Sequence, residues 1–571
     1  MPFPHLARQR APWLVALVGA AALAACGGGD DGPPQLAPAT AQKMTVSCAD
    51  LAGKIGTLAN TAISATTSVP TGSLTVAGVP VPEHCLVKGS MHTRTSPVDG
   101  NTYAIQFEMR MPLDWNGRFL HQGNGGIDGS VVTALGNSAT GGGPLTSALS
   151  KGFAVLSSDA GHTAAVGPNF GADPQARLDY GYQAVGKLTP MAKTVIQAAY
   201  GKGPDRSYFA GCSNGGRHAM VAATRYPTDY DGVLVGAPGY NLPKAALANI
   251  AGGQLYASVA TSPTDISTGF TTAERRTVAS AVLAKCDALD GATDGLVQDV
   301  AACRGAFDLQ RDVPTCSGAR DGTCLSAAQK TAIGKIFSGP TLSNGSRIYS
   351  SFPYDAGISG AGIPFWEFTA PLALDSGAVG IIFKVPPEPT AGFNGPAFTL
   401  AANLDTLAAQ ISATNTLYTE SAMSFMTPPN PTNMSALKDR GGKILVYHGV
   451  SDPIFSVDDT EAWYKGLQAA NGGDASNFAR FFRVPGMGHC SGGPATDQFD
   501  AITAIVDWVE KGQAPASLTA SARGAGNAGG VNADVPATWS ATRTRPLCPY
   551  PQVARYNGTG DIESAASFSC K

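Results

Sequence analysis

Two cysteines, each adjacent to a residue that could perform catalysis, constrain this chain more than any other feature. Cys212 precedes the serine of Gly211-Cys212-Ser213-Asn214-Gly215, and Cys490 follows His489 about 280 residues later. If Ser213 and His489 meet in the fold, the two cysteines come within bridging distance of each other. A disulfide closing so long a loop would stabilise the fold by about 5–6 kcal/mol in the chain-entropy account. The pattern predicts a serine hydrolase with a cross-linked active site.

The surroundings of Ser213 are typical of a nucleophile elbow. The apolar run Tyr208–Ala210 precedes it, and a helical pattern begins near Gly216. Glycines at 211 and 215 allow the tight strand–turn–helix connection that exposes the serine hydroxyl. Because G-x-S-x-G also occurs by chance, the flanking strand and helix are what favour a nucleophile.

A catalytic serine needs a base, and the base needs an acid that orients it. His489 follows the apolar run Ala479–Val484, and Asp452 follows the run Lys443–Tyr447. The order Ser, Asp, His is that of α/β-hydrolases. The alternative is that Asp452 only caps a turn and His489 is a structural loop histidine. His448 is a weaker candidate for the base, because it lies closer to a strand and fits a core position.

The oxyanion of a tetrahedral intermediate needs N–H donors. The amide of Asn214, directly after the serine, is one candidate. The glycine-rich loop Gly123–Gly126 follows an apolar strand pattern, and we expect the second donor from Gly126 and a substrate contact from Gly125. The alternative is a plain flexible turn. A phosphate-binding loop is disfavoured, since neither a Walker lysine nor a Rossmann pattern follows.

Short apolar runs alternate with helical stretches, which predicts a mostly parallel α/β sheet. The predicted strands are Tyr103–Met111, Arg118–His121, Ala154–Ser157, Ser207–Ala210, Gly232–Val235, Lys443–Tyr447 and Ala479–Val484. The predicted helices include Gln183–Tyr200, Gly216–Tyr226 and Asp497–Lys511. Between 241 and 438 this alternation stops. We therefore expect an α/β-hydrolase core, 44–240 and 439–571, with 241–438 inserted as a lid domain.

The N-terminus predicts export. Arg8 and Arg10 precede the apolar run Ala11–Ala25, which is short for a membrane span and ends at Leu23-Ala24-Ala25-Cys26. This is similar to a bacterial lipoprotein signal in which Cys26 is lipidated. Ordinary cleavage nearby, giving a soluble periplasmic or secreted protein, is the alternative. Residues 27–43 are predicted to be a flexible tether.

An exported chain enters an oxidising compartment, where cysteines pair. Of the eleven cysteines, ten remain after Cys26 is set aside, and sequence alone does not fix their connectivity. Proximity along the chain suggests the pairs Cys48–Cys85, Cys286–Cys303, Cys316–Cys324 and Cys548–Cys570, which leaves Cys212–Cys490.

An acidic cluster lies inside the predicted lid. Asp287, Asp290 and Asp294 fall within eight residues, with glycines at 291 and 295. Oxygen donors in such a turn suit Ca²⁺, although the spacing is not that of an EF-hand. Zinc is disfavoured, because no histidine is near and the neighbouring cysteines are expected to be oxidised. The alternative is an acidic surface turn. A net charge of -3, without a basic patch, argues against nucleic-acid binding.

These features together resemble the tannase and feruloyl esterase family of α/β-hydrolases, from about Cys48 to Cys570. The matching motifs are Arg110–Arg118, Gly211–Arg217, Gly236–Tyr240, Cys286–Gly295, His448–Asp452, Pro485–Pro494 and Arg543–Tyr550.

The resemblance implies the roles of individual residues. It implies Ser213, Asp452 and His489 as the catalytic triad, with the Cys212–Cys490 bridge beside them. It implies Ca²⁺ bound by Asp287, Asp290, Asp294 and the carbonyls of Ala292 and Leu296. Phe455 and Trp366 match aromatic pocket positions.

The expected function is hydrolysis of a small aromatic acid ester, such as a hydroxycinnamoyl (feruloyl) or galloyl ester. One alternative is a terephthalate half-ester, whose free carboxylate would need a cation; residues 365–389 offer only Lys384, which lacks the two-pronged geometry of arginine. Another alternative is a non-catalytic surface-binding lipoprotein, against which the intact triad counts. The only expected membrane contact is a lipid at Cys26.

Overall fold

The computed structural model describes residues 32–137 and 139–571, and residues 33–571 form one compact unit. At its centre lies a nine-stranded sheet. The strands are β1 Thr61–Val69, β2 His84–Thr95, β3 Thr102–Pro112, β4 Arg118–Gly123, β5 Ala154–Ser158, β6 Arg206–Cys212, β7 Gly232–Gly236, β8 Lys443–Gly449 and β9 Ala479–Val484.

The strand order is β9-β8-β7-β6-β4-β5-β3-β2-β1. Strands β4 to β9 pair in parallel, and β3, β2 and β1 extend the sheet in antiparallel fashion. All seven predicted strands are present, and the predicted α/β class is confirmed. Because parallel neighbours end at the same edge, the loops after β4, β6, β8 and β9 lie on one side of the sheet.

Two strands of the central sheet were missed by the sequence analysis, β1 and β2. β1 is the sheet edge, has the sequence TAISATTSV and contains no fully buried position. β2 is longer but carries Lys88, His92 and Arg94 on its more exposed positions. A search for continuous apolar runs finds strands covered on both faces and overlooks a half-solvated antiparallel edge.

Besides several short 3-10 and π helices, fifteen α-helices occur in the described part of the chain. They are α1 Cys48–Ile55, α2 Pro174–Leu178, α3 Ala184–Tyr200, α4 Asn214–Arg225, α5 Leu242–Val259, α6 Thr272–Cys286, α7 Val300–Ala306, α8 Leu309–Asp312, α9 Ala327–Phe337, α10 Gly395–Ala401, α11 Leu404–Gln410, α12 Ala422–Phe425, α13 Ser435–Lys438, α14 Val457–Ala470 and α15 Ala501–Lys511.

The side chains of the sheet divide between two apolar cores according to strand alternation. In β6, Phe209 packs with α3, α4 and α14, whereas its neighbours Tyr208 and Ala210 pack with α15 on the other face. A strand buried on both faces has this pattern because successive side chains point to opposite sides. The loops that carry Ser213, Asp452 and His489 are therefore built on a rigid, doubly covered sheet.

Helix α15 begins four residues later than predicted. The Asp500 side chain accepts the N–H of Thr503, which caps the helix at its first turn. Ile502, Ile505 and Trp508 then form the buried face. Gly512 ends the helix in the left-handed conformation, at φ 69°.

The segment 241–438 contains α5 to α13 and contributes no strand to the central sheet. One of its two apolar clusters includes Phe170, Tyr180 and Phe455 from outside the segment. The insertion is therefore packed directly on the loops at the carboxyl edge of the sheet.

Five disulfides are present, and each joins a predicted pair. They are Cys48–Cys85, Cys212–Cys490, Cys286–Cys303, Cys316–Cys324 and Cys548–Cys570. The predicted pairing is confirmed.

The later part of the predicted tether is held against the protein. Gln35 donates to the carbonyl of Val509, and Ala39 N–H donates to Glu510. Residues 42–43 pair with 114–115. Cys26 and the predicted signal lie outside the described residues. Within the described range, every helix is too short or too polar to cross a membrane.

Glu510 provides a test of how this N-terminal segment and the sheet are joined. Its buried carboxylate accepts from Arg118, Tyr208 and the amide of Ala39. Glu510→Ala leaves the largely buried guanidinium of Arg118 without its carboxylate partner, and we expect the free energy of unfolding to fall by about 3 kcal/mol in urea titrations.

The matched control is Lys511→Ala in the same helix turn. Lys511 forms an exposed pair with Asp507, and its loss should cost less than about 1 kcal/mol. Equal effects of the two substitutions would contradict the assigned role of Glu510.

Candidate active site

Ser213 lies in the tight turn between β6, which ends at Cys212, and α4, which begins at Asn214. Its backbone is in an unusual conformation, with φ 66° and ψ -129°. A Cβ at Gly211 would come within 2.5 Å of the Gly215 backbone, and one at Gly215 within 2.4 Å of the Gly123 carbonyl oxygen. The two glycines of the motif are thus required by close backbone contacts, as a nucleophile elbow demands.

The structure brings Ser213, His489 and Asp452 together. His489 Nε2 lies 2.8 Å from Ser213 Oγ, and His489 Nδ1 lies 2.7 Å from Asp452 Oδ2. An ionised carboxylate only accepts, so the proton is on Nδ1 and the Nε2 lone pair faces the serine hydroxyl. The serine is therefore oriented towards a base that is itself oriented by an acid.

Asp452 is buried but ionised. Burial alone would raise its pKa, yet the electrostatic interaction with His489 and hydrogen bonds from His448 and His489 hold the pKa well below its usual range. Its other oxygen accepts the N–H groups of Ile454 and Phe455, each at 3.0 Å. These bonds fix the carboxylate that faces the imidazole.

His448 provides a second histidine contact to the same carboxylate. Its Nε2 lies 2.9 Å from the Phe455 carbonyl and 3.2 Å from Asp452 Oδ2, both of which only accept. The proton is therefore on Nε2, and Nδ1 faces the Thr460 hydroxyl at 2.8 Å. The sequence analysis placed His448 in the core, and it lies there, behind the acid.

Asp355, which the sequence analysis did not single out, connects the insertion to the loop that carries Asp452. One oxygen of Asp355 accepts from the hydroxyl of Ser451, next to Asp452, and from the amide of Gly357. Nothing in the sequence around Asp355 marks it, because Ser451 lies about 100 residues away.

The glycine-rich loop lies beside the elbow. A Cβ at Gly125 would lie 3.8 Å from the Cβ of Ser213. Gly125 and Gly126 are exposed, whereas Asn214 is buried at the start of α4. Gly126 has φ 62°, a left-handed value that favours glycine. The loop is thus in place to meet a substrate bound at Ser213.

Two aromatic rings enclose the imidazole of His489. The Trp366 ring lies 4.7 Å from it and the Phe455 ring 5.3 Å, both nearly edge-on. Trp366 comes from the insertion and Phe455 from the core. The exposed ring of Phe365 packs against Trp366 at 4.7 Å. The site therefore opens between the insertion and the sheet, with aromatic walls.

A model of the tannase and feruloyl esterase family matches residues 85–571. The chain belongs to the tannase and feruloyl esterase family. It is 40% identical over 533 residues to mono(2-hydroxyethyl) terephthalate hydrolase of Piscinibacter sakaiensis, covering 87% of this chain and 86% of that protein. It is 28% identical over 490 residues to probable feruloyl esterase B-1 of Neosartorya fischeri, covering 81% and 82%.

A solved structure of feruloyl esterase B from Aspergillus oryzae matches with a TM-score of 0.71 and 24% identity, over 90% of this chain and 97% of that one. Tannin acyl hydrolase from Aspergillus niger matches with a TM-score of 0.64 and 18% identity, over 92% and 96%. These likenesses confirm the predicted α/β-hydrolase fold.

The acidic segment of the insertion folds into a compact turn. Asp287 accepts the amides of Asp294 and Gly295, and Asp290 accepts the amide of Ala292. The second oxygen of Asp290 is buried without a hydrogen-bond partner. Burial, together with the charges of Asp294 and Asp287, raises the pKa of Asp290 to about 7.

Carboxylate and carbonyl oxygens of this kind are ligands that suit a hard cation such as Ca²⁺. A positive ion would give the buried oxygen of Asp290 a partner and would offset the charges of Asp287 and Asp294 near it. One carboxylate already has such a partner, since Asp294 pairs with Arg545. Among the described residues, no three acidic, histidine or cysteine side chains lie close enough together to form a metal site.

The Cys212–Cys490 disulfide gives a prediction specific to this site. Its Cα atoms are 6.1 Å apart, and its two halves flank Ser213 and His489. The variant Cys212→Ser/Cys490→Ser should lose about 5–6 kcal/mol of stability in the chain-entropy account. It should also lose at least about tenfold in kcat, because small misplacements of catalytic groups are costly.

The control is Cys316→Ser/Cys324→Ser, which opens a loop with a sequence separation of only 8. Its expected stability loss is about 2–3 kcal/mol, with kcat unchanged. Chemical unfolding and esterase kinetics measure both effects. The same loss of kcat in both double variants would show that the bridge beside the site has no special role.

Proposed function

We propose that this family member is a carboxylic ester hydrolase that cleaves aromatic esters through an acyl-enzyme on Ser213. The observation that carries the proposal is the continuous hydrogen-bonded line from Ser213 Oγ through His489 to Asp452. The family membership and the named esterases among its relatives support it.

In the first half-reaction, Ser213 Oγ attacks the ester carbonyl carbon while His489 Nε2 takes its proton. Asp452 stabilises the imidazolium that forms. The amides of Gly126 and Asn214 donate to the oxyanion of the tetrahedral intermediate. When this intermediate collapses, His489 returns the proton to the departing alcohol, and the acyl group remains on Ser213.

In the second half-reaction, water enters and His489 removes its proton. The hydroxide attacks the acyl carbonyl, and the same amides hold the second oxyanion. The acid leaves as Ser213 recovers its proton from His489.

The substrate is an aromatic acid ester such as a feruloyl or galloyl ester. The half-buried Trp366 provides aromatic surface beside the base, where an aromatic acyl group would pack, and the buried ring of Phe455 packs against the same imidazole. Hydrolysis of a terephthalate half-ester is the second candidate, favoured by the 40% identity to an enzyme of that name. Lys384, the sole basic residue of 365–389, is buried and already paired with Glu388, so it offers no free cation to a substrate carboxylate.

An ester panel tests this function. We expect the mature protein to hydrolyse methyl ferulate or methyl gallate faster than mono(2-hydroxyethyl) terephthalate. Ser213→Ala should lower kcat at least about 10³-fold, whereas the exposed Ser435→Ala control should leave it unchanged. Product release is followed by chromatography.

Preference for the terephthalate half-ester would select the second candidate. A folded protein that hydrolyses none of these esters, nor a chromogenic acetate, would favour the non-catalytic binding protein instead.

We also propose that the insertion binds Ca²⁺ as a structural ion. The ligands would be the carboxylates of Asp287, Asp290 and Asp294 and the carbonyls of Ala292 and Leu296. The ion would supply positive charge to the crowded carboxylates and order the turn. The buried, unpartnered oxygen of Asp290 supports this assignment.

Calcium removal should lower the melting temperature by several degrees, because an ion at 100 times its Kd stabilises by about 2.7 kcal/mol. Asp290→Asn should abolish this dependence, and the exposed Asp321→Asn should retain it. Calorimetry with EDTA and with added CaCl₂ measures both. Identical melting with and without calcium in the wild type would refute the site.

Export to the periplasm or outer membrane of a bacterium, with lipid on Cys26, is a further proposal. The charged and apolar N-terminus and the five disulfides support it. The mass of the mature N-terminal peptide distinguishes a lipidated Cys26 from ordinary cleavage.

A further inference from the structure

The two amides assigned to the oxyanion belong to different parts of the fold. Gly126 lies in the loop after β4, and Asn214 is the first residue of α4. Both N–H groups must point at one oxygen atom for the stabilisation to be effective. The contacts that fix the position of the loop relative to α4 therefore determine how strongly the two amides can stabilise the oxyanion.

Three buried side chains form hydrogen bonds to the loop. Tyr180 Oη donates to the Gly126 carbonyl at 3.4 Å, and His162 Nε2 donates to the Ile127 carbonyl at 2.8 Å. The third is Asn214, whose Nδ2 donates to Asp128 Oδ2 at 2.7 Å. This third bond links the loop directly to α4, the helix that begins at the nucleophile, and His218 of the same helix contacts the same Asp128 oxygen at 2.8 Å.

The orientation of the Asn214 amide is fixed by its neighbours. Arg217 Nε donates to the Asn214 oxygen at 2.7 Å, which leaves Nδ2 to face Asp128. Arg217 is fully buried and also donates to the carbonyls of Gly181 and Tyr180. The amide is thus held at both ends and has little freedom to rotate.

Asp128 is held equally well. Its side chain is 2% exposed, and His218 Nε2 lies 2.8 Å from the oxygen that Asn214 contacts. Its backbone has φ 57°, in the left-handed region, and its N–H donates to the carbonyl of Gly125. The carboxylate therefore fixes the loop, with its exposed Gly125 and Gly126, in position relative to α4.

We propose that Asn214 has two roles: its backbone amide is an oxyanion donor, and its side chain, through Asp128, positions the loop that carries the other donor. This rests on the proposed esterase function. Asp128 is then a positioning residue, which acts through the loop and does not touch the substrate.

A double-mutant cycle tests the proposal. Asn214→Ala and Asp128→Ala should each lower kcat by about 10²-fold, the effect of losing one oxyanion donor, with KM changed less than about threefold. Because the two side chains act through one bond, the double variant should lose no more than the worse single variant. Rates are referred to active sites titrated by an acylating inhibitor, at pH 8. Burial raises the pKa of Asp128 to about 7, so it is ionised there.

A second readout follows the oxyanion hole directly. The inhibition constant of phenylboronic acid, which forms a tetrahedral adduct with a catalytic serine, should rise in parallel with the loss of kcat. Asp128→Asn keeps an oxygen acceptor for Asn214 Nδ2, and we expect it to recover activity to within about tenfold of the wild type. This variant and Asn214→Ser extend the test if an alanine variant folds poorly.

Thr189→Val is the matched control. It removes a buried hydrogen bond to Tyr230 from α3, away from the loop, and should lower stability without changing kcat.

The outcomes separate the two proposals. A wild type inactive on every ester overturns the proposed function and this role with it. An active wild type in which the two alanine substitutions leave kcat unchanged, or lower it additively, overturns the positioning role alone.

Discussion

The close approach of three backbone glycines beneath Ser213 is the constraint on which the site depends. Gly211 and Gly215 contact each other across the turn, and Gly215 lies against Gly123 at the end of β4. A single methyl group at any of these positions would push the nucleophile helix away from the glycine-rich loop. The serine, the two amides proposed for the oxyanion and the Asn214–Asp128 bond are assembled around this contact.

Much of the site could be predicted because its signals are local. Parallel strands covered on both faces read as short apolar runs, and each triad residue lies in the loop that follows such a run. The disulfides were predictable for a similar reason: four join cysteines close in the chain, and the fifth pair flanks the serine and the histidine. The α/β-hydrolase fold follows from the order of these elements.

The supporting residues could not be predicted, because they act across long sequence separations. Asp355 bonds to Ser451 and Asp128 to Asn214, and in both cases two unremarkable polar residues meet only in the folded chain. His448 was visible as a histidine, but its contact with Asp452 depends on how β8 ends. The edge strand β1 was missed since its polar, half-exposed residues leave no apolar run.

The position of the Cys212–Cys490 bridge has a consequence for proteolysis. The insertion lies wholly between these cysteines in sequence, so a protease that cuts one of its loops cannot separate the two halves of the chain. The N-terminal fragment, which contains Ser213, and the C-terminal fragment, which contains His489, stay joined through Cys212 and Cys490. A nicked molecule is therefore still one covalent molecule, with its nucleophile tethered to its base.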